Sequence, residues 1–88
     1  MHGTETLLLE EDHDSIHVMA RQTIVNLGYR VVSAVDGEEA LQLCKADIPS
    51  LAILDLVMPK MGGLETSAKL AERFEKLPFL FTSGYSQQ

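Results

Sequence analysis

Apolar residues along this chain fall into short runs, and the runs alternate between two spacings. Thr6 to Glu10, Leu51 to Asp55 and Phe79 to Thr82 are compact apolar stretches, and Tyr29 to Val35 is rich in β-branched residues. Such runs read as strands, the most apolar of them buried on both faces. Between them the spacing lengthens. Ser15 to Leu27 carries Ile16, Val18-Met19-Ala20, Ile24 and Leu27, and Leu64 to Glu75 carries Leu64, Ala68, Leu70-Ala71 and Phe74. Both patterns fit amphipathic helices. Asp14 or Ser15 suits an N-cap and Gly28 a C-terminal stop. Asp36-Gly37 forms a turn from which Asp36 caps a helix over Glu38 to Lys45. Pro49 and Pro78 precede the third and fourth strands, and Pro59 to Gly63 is a loop. The resulting order, β-α-β-α-β-α-β, predicts an α/β fold with a parallel sheet, right-handed crossovers and helices on both faces.

That topology gives the acidic residues a shared location. Asp55 ends the run Leu51-Ala52-Ile53-Leu54, and Glu10-Glu11-Asp12 ends the run Leu7-Leu8-Leu9. A carboxylate at the end of a buried strand is costly unless it opens into a polar cleft. If the two strands are parallel neighbours, both acidic ends meet at one edge of the sheet, where ligands bind in open α/β folds. Glu11, Asp12, Asp55 and Ser83 all fall there. Clustered carboxylates of this kind suit a divalent cation.

Composition narrows the setting. The chain has 88 residues, one domain's worth, and a net charge of −6 without a Lys/Arg run. No nucleic-acid or anionic-membrane footprint is present. No apolar stretch is long enough to span a bilayer, and Met1-His2-Gly3-Thr4-Glu5 lacks a signal-peptide pattern. Cys44 is the sole cysteine, so a disulfide framework is excluded and a reducing, cytoplasmic setting is expected.

Each of these features also has a plainer explanation. Asp55 could merely cap a strand end, and Glu10-Glu11-Asp12 could be a solvated run favouring a helix dipole. Taken together the two acidic ends favour the cleft. Ser83 beside Gly84 is by itself turn chemistry. His13 and His17 suit exposed positions in a helix's first turns better than metal ligation. Cys44 fits a small core residue. Gly62-Gly63 lacks the Lys-Ser/Thr of a phosphate-binding loop and reads as a turn.

With these pieces in order, the chain resembles the receiver domain of two-component response regulators. The resemblance runs from about Glu5 to Ser86. It rests on Glu5-Thr6-Leu7-Leu8-Leu9 followed by Glu11-Asp12, on Leu27-Gly28-Tyr29, and on Asp36-Gly37-Glu38-Glu39-Ala40-Leu41. It continues through Leu54-Asp55-Leu56-Val57-Met58-Pro59, Gly63 and Thr82-Ser83-Gly84-Tyr85-Ser86. It implies a flavodoxin-like doubly wound sheet with strand order 2-1-3-4. It also implies that Asp55 is the phosphoacceptor and Ser83 the switch hydroxyl. Mg²⁺ or Mn²⁺ would be held by Asp12, Asp55 and the Val57 backbone carbonyl, with Glu11 acting through metal-bound water. This register puts Glu10 where the family has an apolar strand residue; the alternative register would make Glu10-Glu11 the acidic pair.

The residue types suit the chemistry. An aspartate is already ionised at neutral pH and can attack phosphohistidine. Phosphoryl transfer then depends mostly on positioning and charge neutralisation. The expected activity is therefore Mg²⁺-dependent acceptance of a phosphoryl group from a histidine kinase or its phosphotransfer domain, and not turnover of a metabolite. A second reading is a degenerate receiver serving only interaction or dimerisation. An aspartyl phosphohydrolase is disfavoured because the haloacid dehalogenase type needs an Asp at the position held by Val57.

The resemblance also exposes differences. Receivers continue into a fifth strand ending in a Lys, and a last helix. No residue here is assigned that Lys role, Lys60 included. The sequence therefore predicts a single truncated receiver domain whose fourth strand is an open edge. Dimerisation through that edge or through the uncovered face of the first helix is expected. The start Gly3-Thr4-Glu5-Thr6 resembles receivers appended to hybrid sensor kinases.

Overall fold

A computed structural model describes residues 5–56 and 61–82. Four parallel strands form one sheet in the order β2-β1-β3-β4. They are β1 (Thr6–Glu10), β2 (Arg30–Ala34), β3 (Leu51–Asp55) and β4 (Phe79–Thr82), separated by α1 (Asp14–Asn26), α2 (Gly37–Leu43) and α3 (Gly63–Arg73). The alternation and the strand order are those expected. The bounds of β1, β3 and β4 coincide with the apolar runs that announce them.

Side chains alternate across β1. Leu8 enters the core formed with Val32, Ala34, Ala40, Cys44, Ala52, Leu54, Leu70 and Leu77, on the side covered by α2 and α3. Leu9 faces α1, where with Ile53 it lines an apolar groove against Ile16, Ala20 and Ile24. Cys44 is buried in the core as a small apolar residue.

The helix ends show which local rules operate. Gly28 has φ +99°, the left-handed conformation that ends a helix readily only with glycine. Asp36 caps α2 as expected, its carboxylate accepting the Glu39 N–H at 2.9 Å. Glu39 returns the contact one residue earlier, accepting the Val35 N–H at 2.8 Å. On α1 the N-cap is His13, one residue before the expected caps, and its side chain makes no cap bond.

Two helix faces differ from their expected composition. On α3, Leu64 is 67% exposed, and Ala68 and Ala71 are exposed as well. The inward face is Gly63, Thr66 and Leu70, with Phe74 packed on the core. Those positions step by three and four along one helical stripe; Leu70 and Phe74 face inward as expected, while Gly63 and Thr66 take the places expected of Leu64, Ala68 and Ala71. On α1, Ile24 is buried while Val18, Met19 and Leu27 lie in the open.

Candidate functional site

The sheet register builds the site. Glu10 closes β1 opposite Leu54, and Asp55 closes β3 one residue further, opposite Thr82 of β4. The acidic residues that follow β1 therefore arrive beside the end of β3. One oxygen from each of Glu11, Asp12 and Asp55 lies within 4.8 Å of the others. Glu11 and Asp55 are buried and Asp12 is exposed, so the cluster opens to solvent on one side.

Backbone and side-chain bonds fix the turn that carries these ligands. The Glu11 N–H donates to the Ala34 carbonyl at 3.0 Å, extending the β1–β2 pairing by one residue. The His13 N–H donates to Glu11 Oε2 at 3.1 Å. His17, one turn into α1, places Nδ1 2.7 Å from the Glu11 carbonyl oxygen. That oxygen can only accept, so Nδ1 carries the proton. Burial pushes the Glu11 carboxyl up from its usual range; the His13 N–H pulls it down, and Asp55 and Asp12 push it further up. A cation in the cluster would relieve that repulsion, and three carboxylate oxygens form a donor set that hard divalent ions prefer. The residues present therefore fit Mg²⁺ or Mn²⁺.

Val57 and Ser83, the expected carbonyl ligand and switch hydroxyl, lie outside the described residues, as do Met58, Pro59, Lys60 and Tyr85. Thr66 went unnoticed in the sequence, and Glu10, read there as part of the acidic run and in the alternative register as half of the acidic pair, is not among the three clustered carboxylates. Glu10 is 1% exposed and points to the α2/α3 side, the side of Leu8. Its Oε2 lies 3.5 Å from Thr66 Oγ1, while Oε1 has no hydrogen-bond partner among the described residues. Burial drives its pKa up to about 7; Thr66 opposes the rise, and the charges of Asp36, Asp55 and Asp12 add to it. Period-two alternation from Leu8 was the available signal for Glu10. Thr66 carried none, because nothing in a polar residue marks it for the core.

Parallel α/β architecture with a carboxylate cluster beyond the strand ends defines a class of acidic-cleft doubly wound domains. Residues 7–88 match the response regulator receiver domain family, and the chain belongs to it. It is 30% identical over 82 residues to the Bacillus subtilis alkaline phosphatase synthesis transcriptional regulatory protein PhoP. That match takes in 93% of this chain and 34% of PhoP, so the chain spans about a third of that relative. Vibrio cholerae chemotaxis protein CheY4 superimposes with a TM-score of 0.82 at 30% identity, over 97% of this chain and 76% of that one. A structure of histidine kinase ThkA in complex with the response regulator protein TrrA gives 0.83 at 26% identity, over 94% and 72% of the two chains. The strand order 2-1-3-4 with flanking helices matches the CheY-like fold of these neighbours.

Proposed function

We propose that this receiver domain accepts a phosphoryl group onto Asp55 from a phosphohistidine of a histidine kinase or its phosphotransfer domain. The observation that carries the reading is the convergence of Glu11, Asp12 and Asp55 at the ends of adjacent parallel strands. An Asp55 carboxylate oxygen forms the new O–P bond as the N–P bond of the donor breaks, and the donor imidazole leaves with the electron pair. Glu11, Asp12 and Asp55 would hold the divalent ion, with the Val57 carbonyl as a further ligand. Bound there, the ion supplies charge neutralisation for the phosphoryl oxygens. Ser83 is the proposed hydroxyl partner of the phosphorylated state. The TrrA–ThkA complex and the Mg²⁺–BeF complex of Thermotoga maritima TrrA support the partner and the ion by analogy.

The domain is on this reading a phosphoacceptor in a cytoplasmic signalling relay. Among the described residues no helix is long and apolar enough to cross a membrane. A homodimer belongs to the same proposal. Among the described strands β4 pairs only with β3, and its Leu80 and Phe81 are exposed. Such an edge recruits a second strand, and sedimentation over a concentration range tests it.

A radiolabelled histidine kinase mixed with the chain tests the central assignment. Label should move to the chain with Mg²⁺ present and stay on the kinase with Asp55→Asn. Transfer that persists in Asp55→Asn would overturn it.

A further inference from the structure

Glu10 is the least expected group in this fold. It is 1% exposed, and an apolar side chain of similar size would be cheaper to bury there. Its backbone is the last of β1, paired with Ala34 on one side and Leu54 on the other. The ligand-bearing turn Glu11-Asp12 begins at the next residue.

Thr66 receives it. This residue is fully buried in the second turn of α3, with Oγ1 3.5 Å from Glu10 Oε2 and 3.0 Å from the Gly62 carbonyl oxygen. Three structures converge on that hydroxyl. A Cβ added to Gly37 at the start of α2 would lie 2.3 Å from it, which only glycine avoids. The start of α3 in turn rests on β3, since a Cβ on Gly63 would lie 2.7 Å from the Asp55 carbonyl oxygen. Contacts therefore run from Glu10 through Thr66 to the first turn of α3, and from there to the backbone of Asp55.

The two halves of the carboxylate cluster come from different strands, Glu11 and Asp12 after β1 and Asp55 on β3. We infer that the Glu10–Thr66 contact is a positioning brace behind the metal site, holding those halves at their separation through the α2/α3 layer. Glu10 and Thr66 touch neither ion nor phosphoryl group; they are positioning residues. The inference rests on the metal site proposed above.

The test is Mg²⁺ affinity, read from Mg²⁺-dependent thermal stabilisation, beside urea stability in chelator. Thr66→Val and Glu10→Leu should each weaken Mg²⁺ binding by roughly tenfold, the lower end for groups that orient metal ligands. Their combination should be no worse than either alone. Thr66→Ser and Glu10→Gln keep the polar contact and should bind as the parent does. Glu10→Leu should hold or gain urea stability while it loses Mg²⁺ affinity, a split that a merely structural role would not produce. Parent-like Mg²⁺ affinity in both Thr66→Val and Glu10→Leu would overturn the brace. So would equal losses in Glu10→Gln and Glu10→Leu, since charge would then be the cause. A parent chain without any Mg²⁺ response would overturn the metal-site reading and the brace with it.

Discussion

His17 Nδ1 donates to the backbone carbonyl of Glu11 at 2.7 Å, a short polar contact at the acidic end of the sheet. It ties the second turn of α1 to the residue on which the ligand turn depends. Replacing His17 by alanine removes one hydrogen bond whose net worth is about 1 kcal/mol. We expect the urea midpoint to fall accordingly. Mg²⁺ affinity should fall as well, because the carbonyl it restrained is the hinge between Glu11 and Asp12. Unchanged midpoint and affinity would show that the turn is held by its backbone bonds alone.

The buried Glu10 gives a pH dependence whose sign is fixed. Its carboxyl moves from an ordinary value of 4.5 up to about 7 in the folded chain. Between those values the folded state holds a proton that the unfolded state has lost. Stability therefore falls as pH rises from about 4.5 to 7 and levels off above, by at most about 3 kcal/mol from this group. Glu11 is shifted in the same direction and adds to the trend. Denaturation in chelator across that range should show the loss, and Glu10→Gln should flatten it. Stability that climbs with pH over the same range would contradict the burial of Glu10.

Much of this architecture is legible in the residue pattern, and the exceptions have physical causes. The strands announce themselves because Leu7-Leu8-Leu9, Ala52-Ile53-Leu54 and Phe79-Leu80-Phe81 are apolar on both faces. Gly28 and Asp36 announce helix ends because left-handed φ and a side-chain cap each demand particular residue types. The inner face of α3 is hidden for the opposite reason. Gly63 and Thr66 are buried by a close approach to the backbone of Asp55 and Gly37, a tertiary fact that hydrophobicity does not encode. The acidic cluster is legible as chemistry, since Asp55 and Glu11-Asp12 end or follow two core strands that lie side by side in the sheet. Glu10 stands at the strand position that the resemblance marks as apolar, but its burial against Thr66 of α3 is again a tertiary fact that an acidic run does not encode.

The cap of α2 offers a separate check on local stability. Asp36 accepts from the Glu39 N–H, and Asp36→Ala should cost about 1 kcal/mol. In a domain of this size that lowers the melting temperature by roughly 4–8 °C. Asp36→Asn or Asp36→Ser should recover most of the loss. A melting temperature unmoved by the alanine variant would show that packing alone holds the helix start.

Asp12 is the exposed member of the cluster, and its replacement should disturb the core least. Asp12→Ala should abolish Mg²⁺-dependent thermal stabilisation while leaving stability in chelator near that of the parent. Normal Mg²⁺ binding in Asp12→Ala together with its loss in Glu10→Ala would move the ligand pair to Glu10-Glu11.

Intact-mass measurement after incubation with acetyl phosphate and Mg²⁺ tests the central claim most directly. The account predicts one phosphoryl increment on the parent chain, lost when Mg²⁺ is chelated and absent from Asp55→Asn. No increment on the folded, Mg²⁺-saturated parent, or an equal increment on Asp55→Asn, would contradict it.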